Sequence, residues 1–322
     1  MWKTTRVIGT GSYAPDRVVT NDDLSELVET NDEWIRTRTG IRQRHIAESM
    51  GTADMAAMAA KRALENAGVD AEEIGLIIVA TSSAEHNFPS CACEVQKQIG
   101  AVNATAFDLS AACTGFIFAL NSAHAYIRSG LCETALVIGA DMLSKLTDWT
   151  DRGTCVLFGD GAGAAVVKAA DQGVLHIVTG SDGQKGDVLA CTARTHDNHW
   201  TGKKPELGYM TMDGQEVFKF AVKKVPECIR QVLDESQTDI EEIKYFVLHQ
   251  ANERIFESVA KRLKLPMEKF PMNIDRYGNT SGASVPIMLD EMNRQGMLEP
   301  GDKLVLSGFG GGLTWGATLL EW

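Results

Sequence analysis

The chain has 322 residues, 44% hydrophobic and 23% charged, enough for a large buried core and for two domains or two halves of one. Its formal net charge of −12 argues against nucleic acid and anionic membrane surfaces as partners. No apolar run approaches the ~20 residues of a membrane helix, the N-terminal residues lack the apolar core of a secretory signal, and the seven cysteines form neither a Cys-x-x-Cys pair nor a disulfide framework, so free thiols in a reducing, cytoplasmic setting are expected.

In chain order, Met55, Ala59, Leu64 and Ala67 recur at helical spacing behind Thr52, which is expected to cap them. Aliphatic runs at 76–80 and 104–109 read as buried strands. From Thr114 to about Ser129, small and apolar residues occupy nearly every face of a helix, which should therefore be buried. Further strands fall at 135–139, 245–248 and 303–306, and Asn252 is placed to cap a helix through Ile255, Val259 and Leu263. Strands alternating with helices imply a largely parallel sheet covered by helices.

An internal repeat overlies this pattern. Asp70-Ala71-Glu72-Glu73-Ile74 precedes one strand, and Asp239-Ile240-Glu241-Glu242-Ile243 precedes another 169 residues later; Leu136-Val137-Ile138 and Leu304-Val305-Leu306 are 168 apart. The bland explanation is chance, since Asp-x-Glu-Glu-Ile is ordinary helix-to-strand sequence; the other is a duplicated α/β unit. Duplication divides the chain near residues 171–173, into halves 1–172 and 173–322, with a site expected where strand ends and helix starts of the two halves meet.

Among the cysteines, Cys113 has the most suggestive setting. It follows a strand and a small-residue turn, Ser110-Ala111-Ala112, and stands at the start of the buried helix. Unpaired N–H groups and the helix dipole favour a thiolate there, while burial opposes it. A small buried hydrophobe is the alternative. His249 ends a strand, and Asn279 lies in Gly278-Asn279-Thr280-Ser281 ahead of a small-residue helix; each is also explicable as a satisfied core side chain or a cap. His196 and His199 sit in a polar stretch without the cysteine or carboxylate support of a metal site. Neither Gly9-Thr10-Gly11 nor Gly159-Asp160-Gly161-Ala162-Gly163 has the form of a nucleotide loop, whereas Gly308-Phe309-Gly310-Gly311-Gly312 follows a strand and suits close backbone approach to a reacting oxygen.

Taken together, Asp32-Glu33-Trp34-Ile35 with Thr37-Arg38-Thr39-Gly40-Ile41, Asp108-Leu109-Ser110-Ala111-Ala112-Cys113-Thr114-Gly115-Phe116, His249-Gln250-Ala251-Asn252, Tyr277-Gly278-Asn279-Thr280-Ser281 and Gly308 through Gly316 resemble the β-ketoacyl-acyl-carrier-protein synthase III family. These are the initiating condensing enzymes of bacterial fatty-acid synthesis, within the thiolase-like superfamily. The likeness runs from Val7 to Trp322. It implies a five-layered α-β-α-β-α fold of two duplicated halves, a homodimer and no metal or organic cofactor. It also implies a reaction between a short acyl-CoA and malonyl-acyl-carrier protein.

By the same resemblance Cys113, His249 and Asn279 are catalytic, and the Cys113 and Gly311 N–H groups form an oxyanion hole. Trp34, Arg38 and Arg152 hold the nucleotide end of CoA, Phe218, Asn252 and Phe309 line the pantetheine tunnel, and Phe88 limits the acyl pocket, from the partner subunit. Residues 219–269 carry ten Lys and Arg against nine Asp and Glu in an otherwise acidic chain, and Lys219, Arg254, Lys261 and Arg262 are the expected docking surface for the acidic carrier protein.

The absence of any cysteine after Cys228 argues against a degradative thiolase, which needs a second one near its C-terminus, and Asn279 stands where elongating enzymes have a second histidine. A polyketide or other secondary-metabolite starter enzyme would share Cys-His-Asn. A non-catalytic acyl-CoA or carrier-protein binding module is disfavoured by the intact set, and a papain-like protease by the strand and repeat pattern.

Overall fold

Two mixed β-sheets face each other across a pair of buried helices in a computed structural model that describes residues 4–193, 200–202 and 208–322. The first sheet contains β1 (Thr4–Tyr13), β2 (Leu76–Ala80), β3 (Thr105–Leu109), β4 (Thr134–Met142) and β5 (Asp160–Ala170), in the order β1-β5-β4-β2-β3. The second contains β6 (Val174–Ser181), β7 (Ile243–Leu248), β8 (Lys303–Gly310) and β9 (Thr314–Glu321), in the order β7-β8-β9-β6. Strand for strand, the second order repeats the first without a counterpart of β3. Only the β2–β3, β2–β4 and β7–β8 pairs are parallel; the others are antiparallel. The sheets are therefore less parallel than strand-helix alternation implied, because β1, β6 and β9 were not legible as strands. Their glycines, threonines and serines break both the alternating and the continuous apolar pattern.

Helices α1 (Asp32–Thr39), α2 (Thr52–Ala67), α3 (Cys91–Ile99), α4 (Gly115–Arg128), α5 (Gly214–Ser236), α6 (Glu253–Leu263) and α7 (Ser284–Arg294) complete the framework. The alternation of β2 sorts its side chains between layers. Leu76, Ile78 and Ala80 join Phe116 and Leu120 of α4, Val285 and Leu289 of α7, and Leu304 and Leu306 of β8 in the central core. Ile77 and Val79 face α2 and α3 on the outside, while Phe246, Leu248 and Val305 face α5 and α6 on the other. The result is five layers, α-β-α-β-α. A small satellite core of Leu24, Ile35, Ile41, Cys155, Val156 and Ile274 seats α1 against the segments around 155–156 and 274.

The 169-residue offset recurs in the backbone. One-turn 3-10 segments at Ala71–Glu73 and Ile240–Glu242, and again at Ala112–Thr114 and Ser281–Ala283, occupy equivalent places, and α4 and α7 begin at equivalent residues, Gly115 and Ser284. One expected cap is corrected. Gly51, not Thr52, is the cap residue of α2; Thr52 is the first helical residue, its hydroxyl donates to Ser83 O at 2.7 Å, and Glu85 accepts its backbone N–H at 2.7 Å. Asn252 does cap α6, accepting from the Arg254 N–H at 3.0 Å. His196 and His199 lie outside the described residues.

Candidate active site

Cys113 lies in the 3-10 turn that feeds α4 and is only 8% exposed. The preceding Ala112 is held at φ +46°, a left-handed conformation that disfavours a side chain and stores on the order of 1–3 kcal/mol. Strand β8 runs directly behind this turn. A methyl group on Gly308 would lie 3.4 Å from Cys113 O, and one on Gly310 only 2.7 Å from Cys113 N, so glycine at 310 is what permits the approach. The twin turn of the second half abuts the first: Ser281 repeats the positive φ at +51°, and a methyl on Gly282 would lie 3.4 Å from Ala112 O.

His249 and Asn279 reach the same neighbourhood from the second half. The His249 N–H donates to Ser307 O at 2.8 Å, and its ring stands edge-on to Phe309, centroids 5.2 Å apart. Phe309 thus meets the histidine while its neighbours Gly308 and Gly310 meet the cysteine turn. His249 Nδ1 is 2.7 Å from Ser284 Oγ, leaving Nε2 for other partners. Asn279 is pinned by its N–H to Leu157 O at 2.9 Å and by its carbonyl, which accepts from Gly159 N at 3.1 Å. Its Oδ1 accepts from Ser281 N at 2.8 Å, so the Nδ2 donors are turned away from that bond.

Burial dominates the electrostatics. It pushes the Cys113 thiol up to about 12; a Ser281 hydrogen bond works against this, and the nearby Asp141 carboxylate adds to it. The helix start therefore does not hold a resting thiolate. Burial likewise holds His249 down to about 3, so its imidazole is neutral at physiological pH. Asp141 is itself raised by burial although it accepts from Ser82 N at 2.8 Å, Ser83 Oγ at 3.1 Å and Gly282 N at 3.2 Å. It ties the end of β4 to the second turn.

The remaining expected residues spread outward. Trp34 has two guanidinium groups against its ring, Arg38 Cζ at 4.7 Å and Arg152 Cζ at 4.8 Å from the centroid, a cation–π cluster. Asn252 uses both ends of its side chain structurally: Oδ1 caps α6 and Nδ2 donates to Arg38 O at 2.9 Å. Phe218 is half-buried beneath Arg254, Cζ 5.5 Å from its ring. Phe309 is buried against His249 rather than open, and Gly311 faces the cysteine turn, where a methyl group would lie 3.5 Å from Ala112 Cβ. Phe88 is 86% exposed on the loop before α3. Lys219 pairs with Glu216 at 2.7 Å, and Lys261 and Arg262 are exposed in the last turn of α6.

Sequence reasoning missed Ser281, Ser284, Asp141, Arg44 and Glu291. Arg44 is fully buried, and burial lowers its guanidinium to about 10; its Nη1 donates to Val19 O and Asn21 Oδ1 and its Nη2 to Val156 O, all uncharged oxygens. It supports the 155–159 loop on which Asn279 is pinned. Glu291 of α7 accepts from Arg276 at 2.7 and 2.9 Å, Asn273 at 2.9 Å and Tyr277 at 2.8 Å, and so braces the segment that delivers Asn279. Carrying the 169-residue offset from Cys113 to Gly282 would have pointed to the second turn.

Two sheets of one strand order, closing on paired strained turns, are the arrangement of the thiolase-like enzymes. The family model for 3-oxoacyl-[acyl-carrier-protein] synthase III matches residues 107–183, and that for the C-terminal part of the same enzyme matches 233–322. The β-ketoacyl-[acyl-carrier-protein] synthase III of Clostridium acetobutylicum is 52% identical over 318 residues, 98% of each chain. The crystal structure of 3-oxoacyl-[acyl-carrier-protein] synthase III from Aquifex aeolicus is similar with TM-score 0.92 and 46% identity, covering 99% of this chain and 100% of that one. A priming β-ketosynthase of the R1128 polyketide pathway also has TM-score 0.92, at 37% identity, covering 99% and 96%. The chain belongs to the β-ketoacyl-acyl-carrier-protein synthase III family: it is an acyltransferase that carries out the initiating condensation of type II fatty-acid synthesis.

Proposed function

We propose that Cys113 is the acyl-carrying nucleophile, that His249 and Asn279 are the donors that stabilise the malonyl enolate, and that the Cys113 and Gly311 N–H groups hold the tetrahedral oxyanion. The observation that carries this reading is the convergence on β8: Gly308 and Gly310 back the cysteine turn while Phe309 and Ser307 hold the histidine. The resting thiol is protonated, so its proton leaves as its sulfur attacks the thioester of a short acyl-CoA; the acyl group passes to sulfur and the proton ends on the departing CoA thiol. Malonyl-acyl-carrier protein then loses carbon dioxide, and the electron pair of the broken C–C bond becomes an enolate whose oxygen accepts from His249 Nε2–H and Asn279 Nδ2–H. A neutral imidazole suits that task, since it donates without needing to change charge. The enolate carbon attacks the acyl-cysteine carbonyl, the oxyanion collapses, and the Cys113 thiolate is expelled and reprotonated. Atoms and charge balance with the two thioester substrates and one proton, so the scheme needs neither metal nor organic cofactor.

Around this centre, Trp34, Arg38 and Arg152 would grip the nucleotide end of CoA: the cluster gathers an indole ring and two guanidinium groups suited to phosphate. Phe218, Asn252 and Phe309 would border the pantetheine arm, Asn252 by holding α1 against α6 through Arg38 O. Arg254, close over Phe218 at the start of α6, and Lys261 and Arg262 at its end would join Lys219 in receiving the carrier protein. The exposed Phe88 and the half-exposed outer strand β3 favour a homodimer in which Phe88 enters the partner's acyl pocket. The seven free cysteines favour the cytoplasm, and the repeated strand order favours the division into halves 1–172 and 173–322.

The test separates the half-reactions. Replacing His249 or Asn279 with Ala is expected to slow carbon-dioxide release from malonyl-carrier protein by about 10²–10³-fold, the usual consequence of losing one aimed donor, while acyl transfer to Cys113 persists. Equal losses in both half-reactions would contradict the assignment.

A further inference from the structure

Ser284 opens α7, and its hydroxyl is committed entirely inside the site. Its Oγ lies 2.7 Å from His249 Nδ1 and accepts the Gln250 N–H at 3.3 Å. Ser284, His249 and Gln250 are all buried, with at most 2% exposure, so bulk water does not compete for these bonds. A serine hydroxyl has one proton and two acceptor lone pairs. With the Gln250 N–H on one lone pair, the hydroxyl proton is best used on Nδ1. The reverse arrangement, Nδ1–H donating to Oγ, would put two donors on the oxygen and leave its own proton without an acceptor among the described residues. Because burial keeps the ring neutral, only one of its two nitrogens carries a proton.

We propose that Ser284 is a positioning residue that donates to His249 Nδ1 and so fixes the imidazole as the Nε2–H tautomer, presenting a proton donor toward the substrate carbonyl. The duplication supplies an internal comparison. The equivalent residue in the first half is Gly115, which also opens a buried helix after a turn with a positive-φ residue, so this helix start folds without a hydroxyl. The hydroxyl is present in the half that carries the histidine. The proposal rests on the reading of His249 as a donor to the malonyl thioester, and it specifies what sets the direction of that donor.

The experiment uses the full-length protein labelled with ¹⁵N in its histidine rings, the His249 signals being assigned by their loss in His249→Gln. At neutral pH the wild type is expected to show a protonated Nε2 and an unprotonated Nδ1. Ser284→Ala is expected to give a tautomer mixture and to slow carbon-dioxide release by about 10- to 100-fold, less than the complete loss of a donor because part of the population still presents Nε2–H. Acyl transfer to Cys113 should fall at least fivefold less, and Ser284→Thr should restore both the spectrum and most of the rate. A wild-type ring protonated on Nδ1 overturns the proposal even if the alanine variant does not fold. So does a Ser284→Ala protein with unaltered spectrum and decarboxylation, or one that loses both half-reactions alike and is not rescued by threonine. His249→Ala separates the two levels. If it leaves decarboxylation intact, the reading of His249 fails; if it abolishes decarboxylation and Ser284→Ala does not slow it, only the role of Ser284 fails.

Discussion

Gly310→Ala tests how tightly the cysteine turn is seated. The added methyl would lie 2.7 Å from Cys113 N, 3.1 Å from Thr114 N and 3.2 Å from Cys113 Cα, all backbone atoms that cannot rotate aside. Ordinary contact begins near 3.4 Å, so something must retreat by about 0.7 Å. Strand β8 is held by its ladder to β9, where Gly310 pairs with Thr314, so the turn moves instead. That turn already carries the strained Ala112. A misplacement of about 1 Å in an active site can cost about 10²-fold in rate, and overpacking typically destabilises by about 1–3 kcal/mol. Acylation of Cys113 is therefore expected to slow by roughly 10- to 50-fold, with a lower melting temperature. Quenched-flow mixing with a short acyl-CoA followed by intact-mass measurement reads the first, and a thermal scan the second. Gly183→Ala is the control, since a methyl there would meet nothing within 4 Å. A Gly310→Ala enzyme acylated within twofold of the wild-type rate would refute the reasoning.

Two other predictions probe the periphery. Burial alone would raise the Glu291 carboxyl, but its bonds to Arg276, Asn273 and Tyr277 bring it below its ordinary 4.5; a carboxylate lowered on folding stabilises above its unfolded value and loses that contribution as pH falls through the folded one. The melting temperature of Glu291→Gln should lie below that of the wild type at about pH 6, and the gap should narrow below 4.5; a gap independent of pH would contradict this. Reversing Arg254 and Lys261 to Glu should raise the Michaelis constant for malonyl-carrier protein and not that for acyl-CoA, as steady-state kinetics with each substrate varied would show; equal effects on both would count against this docking surface.

Much of this architecture was legible because it repeats. The acidic Asp-x-Glu-Glu-Ile segments became matching 3-10 turns, and the aliphatic runs became the strands that pair in parallel in both sheets. The antiparallel strands β1, β6 and β9 were not legible, since their mixed small and polar residues carry no clear period. Within the site, Cys113 stood out by its place between strand and helix, but its counterpart turn did not, because Gly282 shares no chemistry with cysteine. Ser281 and Ala112 share a backbone conformation rather than a residue type. Asp141, Arg44 and Glu291 are charged residues that pattern reading assigns to the surface, and only the packed structure shows them buried and bonded. The protonation of the resting thiol was likewise open, because helix dipole and burial act in opposite directions and their balance depends on depth.

The central claim is that one sulfur among seven carries the acyl group. Peptide mass mapping after brief mixing with a short acyl-CoA, before malonyl-carrier protein is added, tests it most directly. The account predicts acyl mass on the peptide containing Cys113 alone, removed when malonyl-carrier protein is supplied. Acyl groups on another cysteine, or turnover that continues in Cys113→Ala, would contradict it.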